Sequence, residues 1–142
     1  YFAYGSNLSR RQMRRRCPDA RVVGTGRLDG YRWIINSRGF ATIVPSENDV
    51  VWGTIFSISS SDERALDGYE GVSEGFYVKE YLPVAIGNEY VECLVYVARD
   101  ANEGNPSKEY VRRIQEGLHD ANLPEEYIQK YLNPFLQRQP KT

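Results

Sequence analysis

The first eight residues, Tyr1-Phe2-Ala3-Tyr4-Gly5-Ser6-Asn7-Leu8, change from an apolar run into a small polar turn that contains a glycine. Glycine adopts backbone angles that residues with a Cβ rarely reach, and successive N–H groups in such a turn can converge on an anion or an oxyanion. Ser6 and Asn7 add side-chain donors. The segment is typical of a loop that grips a ligand.

A carboxylate stands in a second short segment, Leu66-Asp67-Gly68-Tyr69-Glu70-Gly71-Val72. Glu70 lies between a helical stretch and a glycine, so a rigid element can present its side chain at the edge of a cavity. Burial there would raise the pKa of the carboxyl group toward neutrality and suit it to general acid/base catalysis. Taken alone, such a glutamate is more often a solvated residue at a helix end. Asp67 is interpreted as a structural turn or capping residue.

The two segments together resemble those of the γ-glutamylcyclotransferases, enzymes that turn γ-glutamyl-amino acids into 5-oxoproline. A Tyr-Gly-Ser-Asn-Leu loop is followed, far along the chain, by Leu-Asp-x-x-Glu-Gly-Val. Further matches in the same order extend the resemblance over nearly the whole chain: Ala41-Thr42-Ile43, Val51-Trp52-Gly53, Tyr77-Val78, Cys93, Tyr96, Pro106-Ser107 with Tyr110, and Leu123-Pro124 with Glu126-Tyr127.

The resemblance implies a compact mixed barrel with helices around it and an active site in a cavity beside the loop. It identifies Glu70 as the catalytic glutamate, Tyr110 as a substrate-binding tyrosine, and Tyr77 as a tyrosine near the catalytic carboxylate. The family's counterpart of the first segment lines the substrate site. The predicted substrate-binding residues are therefore Tyr1, Phe2, Ala3, Tyr4, Gly5, Ser6, Asn7, Leu8, Tyr77 and Tyr110.

Such an enzyme needs no nucleophile of its own, because the α-amino group of a γ-glutamyl amide can attack the γ-carbonyl of the same molecule. Well-oriented intramolecular reactions reach effective molarities of about 10⁵ M or more. We expect Glu70 to serve both proton transfers and the backbone N–H groups of Gly5 and Ser6 to bind the oxyanion. Ring closure requires neither redox chemistry nor a metal, so we expect no cofactor and no metal site.

Two departures from the family pattern concern the leaving-group side of the pocket. The segment from Asn36 to Phe40 is shorter than the histidine- and glycine-containing loop of animal-type members, and Tyr69 stands where other members have a different residue. The leaving group therefore stays open between an amino acid or dipeptide and a γ-glutamylated amine, an isopeptide or a glutathione-derived conjugate. Asn7 argues against the glutathione-specific branch, whose loop is of a Tyr-Gly-Ser-Leu type.

An alternative from another class is a noncatalytic γ-glutamyl-binding or interaction domain on the same fold, against which the retention of Glu70 argues. The strongest charge cluster is interpreted as a solvated helix face rather than a nucleic-acid or membrane contact, since the rest of the chain balances it: Arg10, Arg11, Arg14, Arg15 and Arg16. His119 is the only histidine and is predicted to lie on the surface.

The elements that must position these residues alternate between short strands and turns over the first hundred positions. Strands are predicted near 1–4, 21–28, 31–36, 41–44, 50–58, 76–86 and 90–98. Helices are predicted from Ser9 through Arg16, from Ser59–Ser61 through Tyr69, and in two pieces after Pro106-Ser107. The pattern indicates an α+β domain, and we expect the sheet to curl into a small barrel with helices around it.

Residues 1–142 are expected to form one domain, with 41% hydrophobic and 26% charged residues and a formal net charge of −1. The charge gives no global attraction to nucleic acid or anionic lipid, so a small γ-glutamyl molecule is the expected partner, with neither nucleic acid nor membrane. No apolar stretch is long enough to span a bilayer. Two cysteines, expected to be free thiols, favour a cytoplasmic location. The oligomeric state is left open, a homodimer being one alternative.

Overall fold

Two long hairpins make up most of the sheet in this computed structural model, which describes residues 1–138. The strands are β1 (Phe2–Ala3), β2 (Arg21–Ile35), β3 (Ala41–Ser57), β4 (Tyr77–Ile86) and β5 (Glu89–Ala98). The helices are α1 (Arg10–Arg16), α2 (Ser60–Tyr69), α3 (Lys108–Asp120), α4 (Glu125–Tyr127) and α5 (Asn133–Leu136), with a 3₁₀ turn over Ser6–Leu8 and a π turn over Ile128–Leu132. The predicted α+β class is confirmed.

The sheet is open rather than closed. Its order is β1-β3-β2-β4-β5, and each neighbouring pair is antiparallel. The residues on either side of β1 contact β5. The Tyr4 hydroxyl donates a hydrogen bond of 2.5 Å to the backbone carbonyl of Tyr96, and the Tyr1 ring packs edge-on against the Tyr96 ring. The predicted barrel is wrong, since β1 is only 2 residues long and turns away before it can form a ladder with β5.

Each of the first two long strands is continuous where the sequence predicts two shorter ones. The predicted breaks in β2 and β3 coincide with a shift in the pairing register of these two strands. Asp29 lies opposite Val50, whereas Tyr31, two residues later, lies opposite Pro45. Residues 46–49 are the extra stretch on β3. The turn-like composition at this point therefore produces a bulge, which bends a hairpin without ending its strands.

Three helices begin directly after a serine N-cap, two of them where the sequence predicts one. The Ser9 hydroxyl accepts a hydrogen bond from the backbone N–H of Gln12, and Ser107 caps α3 in the same way. Ser59 and Asp62 form a reciprocal capping box at the start of α2. Caps of this kind satisfy backbone donors that have no partner within the helix, so local sequence fixes where α1 and α2 begin.

The core lies on both sides of the loop that follows β1. Trp33 is fully buried and donates its indole N–H to the carbonyl of Tyr4 at 2.9 Å, which ties the end of β1 to β2. α3 approaches the 3₁₀ turn closely at Gly117, where a Cβ would lie 2.7 Å from the Cβ of Leu8. Cys17 and Cys93 are buried free thiols, as expected.

Candidate active site

A cavity of about 410 Å³ opens where the loop after β1, the end of α2 and the start of β3 meet. Eight of the predicted site residues line it, which brings the two sequence motifs together in space: Tyr1, Tyr4, Gly5, Ser6, Asn7, Glu70, Tyr77 and Tyr110. Phe2, Ala3 and Leu8 lie elsewhere, each almost completely buried in the core. Their side chains support the backbone of the loop rather than line the cavity.

Glu70 is held at the end of α2 by a Schellman motif. The backbone N–H of Val72 donates to the carbonyl of Asp67 at 3.0 Å, and the N–H of Gly71 donates to the carbonyl of Gly68 at 3.2 Å. Gly71 has φ of 62°, the left-handed conformation that this helix ending requires and that glycine adopts without strain. Local sequence thus fixes the backbone at Glu70 and aims the carboxylate at the cavity.

Burial controls the protonation of Glu70. Burial raises the pKa of Glu70 from 4.5 to about 7, and the positive charge of Arg16 opposes part of the rise. Among residues 1–138 the Glu70 carboxylate forms no ion pair or hydrogen bond that would hold it in one protonation state. A carboxyl group with this pKa can accept and return a proton near neutral pH.

Gly5 and Ser6, in the turn after Tyr4, line the same cavity. No acceptor within the described chain takes the N–H of Gly5 or of Ser6, whereas the N–H groups of Leu8 and Ser9 are engaged by the carbonyls of the turn. A Cβ on Gly5 would lie 3.2 Å from the Cβ of Ala41 and 3.5 Å from the Tyr110 hydroxyl. The absence of a side chain therefore lets the turn pack tightly against the start of β3.

Tyr77 and Tyr110 are oriented by one residue, Ala41. The Tyr77 hydroxyl donates to the Ala41 carbonyl at 2.7 Å, while the Tyr110 hydroxyl accepts from the Ala41 N–H at 3.1 Å. Each hydroxyl has one proton. Tyr77 has therefore used its proton and can only accept from a ligand, whereas Tyr110 can still donate. Burial raises the pKa of Tyr110 to about 12, so it keeps that proton at neutral pH.

Asn7 links the loop to α1. Its side-chain N–H donates to the Tyr1 hydroxyl at 2.9 Å, and its Oδ1 accepts from Gln12 at 2.8 Å and from Arg16 at 3.2 Å. Gln12 also donates to the Ser6 hydroxyl at 2.8 Å. Both polar ends of the Asn7 amide are thus occupied, which fixes the loop rather than leaving Asn7 free for a ligand.

Arg38, Phe40 and Tyr69, which the sequence assigns to the leaving-group side of the pocket, also line the cavity. The cavity residues that sequence reasoning missed are Arg16, Ala41, Gly68, Gly71, Glu74, Phe76, Tyr96 and Arg113. The position of Arg16 in the charge cluster on α1 could have been recognised from the spacing of residues in that helix. Arg16 follows Met13, the only apolar residue of that helix, by three positions, so both lie on the inward face. Arg16 is half-buried and stacks on the Tyr69 ring at 4.3 Å, while the other four arginines of the cluster are exposed.

Other polar residues singled out in the sequence lie outside the cavity. Asp67 accepts from the Tyr96 hydroxyl at 2.8 Å and pairs with Lys79 at 3.2 Å, which is a structural role. His119 is exposed on α3. In the described part of the chain, no group of three or more His, Cys, Asp and Glu side chains is arranged to hold a metal ion. No helix within residues 1–138 has the length and apolar character to cross a bilayer.

Comparisons with known proteins agree with this architecture. A model of the AIG2-like family matches residues 50–131. The human protein gamma-glutamylcyclotransferase is 34% identical over 142 residues, covering 92% of this chain and 75% of the relative. Its bovine counterpart is 34% identical over 145 residues, with 94% and 76% covered. A solved structure of a gamma-glutamyl cyclotransferase superposes with a TM-score of 0.86 at 31% identity, covering 99% of this chain and 88% of that one.

Proposed function

Because this chain belongs to the γ-glutamylcyclotransferase family and is an enzyme of that type, we propose that it converts a γ-glutamyl compound to 5-oxoproline and a free amine. One observation carries the proposal for this chain. Glu70, with its pKa near 7, lines the same cavity as Gly5 and Ser6, whose N–H groups have no acceptor within residues 1–138. A proton carrier and an oxyanion site are the two parts that lactam formation needs.

Glu70 acts as general base and then as general acid. Its carboxylate takes a proton from the substrate α-ammonium, and the freed amine attacks the γ-carbonyl to form the new C–N bond. As the tetrahedral intermediate collapses, Glu70 returns the proton to the leaving nitrogen and the original amide C–N bond breaks. Glu70 then takes the second proton from the attacking nitrogen, which leaves a neutral lactam, and passes it to the released amine. The nucleophile belongs to the substrate, so the main task of the protein is to hold the two ends of the glutamyl group together.

The N–H groups of Gly5 and Ser6 stabilise the negative charge on the γ-oxygen. They belong to a tightly packed turn, so they need no reorganisation when the charge develops. Tyr77, whose proton is used on Ala41, accepts from the α-ammonium, and Tyr110 donates to the substrate carboxylate. The direction of the two hydrogen bonds to Ala41 thus gives the two tyrosines different tasks.

The proposal is tested by 5-oxoproline release from γ-glutamyl-amino acids, glutathione and γ-glutamyl-amines, with Glu70→Gln as control. Product that is lost in the variant supports the reaction. Lack of product from every substrate, with retained binding of 5-oxoproline, would instead support the noncatalytic alternative. We place this activity in the cytoplasm, where the two free thiols would stay reduced.

A further inference from the structure

The turn between β2 and β3 carries an arginine at the mouth of the cavity. Arg38 is exposed, and the rings that flank it, Phe40 and Phe76, are 38% and 43% exposed. Tyr77 and Tyr110, in contrast, are 7% and 8% exposed. The cavity therefore has an aromatic, cationic mouth above a floor of buried tyrosines.

The Arg38 guanidinium lies over two aromatic rings. It lies 3.7 Å from the centre of the Phe76 ring and 5.4 Å from that of Phe40. Phe40 in turn packs edge-on against Tyr110, with ring centres 5.2 Å apart. A cation–π contact does not use the N–H groups of a guanidinium as hydrogen-bond donors, and those donors match a carboxylate in a bidentate arrangement.

Arg38 differs in this respect from the other two cavity arginines. Arg16 donates to Asn7, and Arg113 forms an ion pair of 2.9 Å with Glu109. The Arg38 side chain makes neither a hydrogen bond nor an ion pair with any residue in the range 1–138. Within the described residues, it is therefore the cavity arginine that keeps all of its donors available to a ligand.

The backbone that carries Arg38 is rigid. Fully buried Asn36 accepts from the N–H groups of Arg38 at 3.1 Å and Phe40 at 3.2 Å through its Oδ1, and donates to the carbonyl of Asp100 at 3.1 Å. Gly39, with φ of 89°, closes the turn. A ligand thus meets a preorganised side chain and does not have to order the loop.

We propose that Arg38 selects substrates whose leaving amine carries a carboxylate, so that amino acids are preferred over simple amines as leaving groups. The inference rests on the proposed function, because it presupposes that the γ-glutamyl end occupies the floor beside Glu70. A substrate bound in that way projects its leaving group toward the mouth. There the Arg38 donors bind the carboxylate, and the rings of Phe40 and Phe76 contact the side chain of the leaving amino acid.

The test compares two substrates that differ by one carboxylate, γ-glutamyl-alanine and γ-glutamyl-ethylamine, in kcat/KM for 5-oxoproline release. The wild-type enzyme should prefer γ-glutamyl-alanine. Arg38→Gln should lose roughly 10- to 100-fold on that substrate, as expected for a charged hydrogen-bond pair, and little on γ-glutamyl-ethylamine. Arg38→Lys should recover part of the preference. Arg21 is an exposed arginine of β2 that belongs to neither sequence motif and does not line the cavity. Arg21→Gln should therefore leave the ratio of kcat/KM for the two substrates unchanged.

Equilibrium binding of both substrates to the Glu70→Gln variant gives a second readout that does not depend on turnover. If Arg38→Gln left the ratio of kcat/KM for the two substrates unchanged, the role of Arg38 would be overturned while the cyclotransferase activity stayed in place. No 5-oxoproline from either substrate, or from the wider panel, would overturn the proposed function and this inference with it.

Discussion

The hydroxyl of Tyr110 accepts its hydrogen bond from the backbone N–H of Ala41 at 3.1 Å, and so retains its own proton. The carbonyl of Ala41 accepts the hydrogen bond that the Tyr77 hydroxyl donates. The two buried tyrosines are therefore not equivalent, although each places a hydroxyl group at the floor of the same cavity. One is available as a donor to a ligand and the other as an acceptor.

Replacement of Tyr110 by phenylalanine should reduce both stability and activity. The Ala41 N–H would be left buried without an acceptor, which costs about 1–3 kcal/mol, and the substrate carboxylate would lose a donor. Denaturant unfolding and kcat/KM measure the two effects. Tyr81→Phe, at an exposed position on β4, should change neither. A Tyr110→Phe enzyme that loses stability but keeps full kcat/KM would limit Tyr110 to a structural role.

Removal of the Glu70 carboxylate should abolish most of the activity without unfolding the protein. We expect Glu70→Gln to lower kcat by at least about 10²-fold, the contribution typical of a general acid/base group, while γ-glutamyl ligands still bind. Single-turnover kinetics and calorimetric binding measure the two quantities. Glu47→Gln, at an exposed position on β3, serves as the matched control. Turnover that is unchanged in Glu70→Gln would remove Glu70 from the mechanism.

The pH profile should show an acidic limb set by Glu70. Only the carboxylate form accepts a proton from the substrate ammonium, so kcat/KM should fall as the pH drops through about 7. Arg16→Gln removes a charge that lowers the pKa of Glu70, so this limb should move to higher pH. Arg14→Gln, on the exposed face of α1, should leave the limb in place. A limb that does not move in Arg16→Gln would contradict the electrostatic assignment.

The Glu70→Gln variant should also be more stable than the wild-type protein, but only at higher pH. The pKa of Glu70 is raised from 4.5 to about 7 by folding, so the folded state binds the proton more tightly and the free energy of unfolding falls as pH rises through that window. Glutamine removes this cost, which we put at about 1–2 kcal/mol at pH 8 after allowing for partial exposure. Urea unfolding at pH 8 and pH 5 should show the gain shrinking at the lower pH. An equal gain at both pH values would point to a cause other than ionisation.

A methyl group at Gly71 should disrupt the end of α2. Its φ of 62° disfavours a residue with a Cβ, and the added atom would lie 2.5 Å from the Phe76 ring. We expect Gly71→Ala to cost at least about 1 kcal/mol in the free energy of unfolding and to reduce activity by displacing Glu70. Gly68→Ala adds the same methyl inside the helix, where it meets no atom within 4 Å, and should stabilise the fold by about 0.5–1 kcal/mol. Equal effects of the two substitutions on stability would contradict the assigned role of Gly71.

Local signals in the sequence were sufficient for the elements that present the site. Serine caps predicted the starts of α1 and α2, and Glu70 followed by Gly71 marked the end of α2. The turn at Gly5 was predicted from composition as a ligand-gripping loop, and it lies at the cavity. Each of these features depends on hydrogen bonds between residues a few positions apart, which is why a single sequence reveals them.

The sequence by itself determined the α+β class, the chain positions of the two motifs and, through resemblance, the family to which they belong. Only the tertiary structure decided that the sheet stays open, that Phe2, Ala3 and Leu8 support the loop from the core, and that Arg16 and Arg38 turn into the cavity. It also decided the direction of the hydrogen bonds at Ala41. The reason is physical: these properties depend on contacts between residues far apart in the chain, and they are set by how the strands and helices pack rather than by any local pattern.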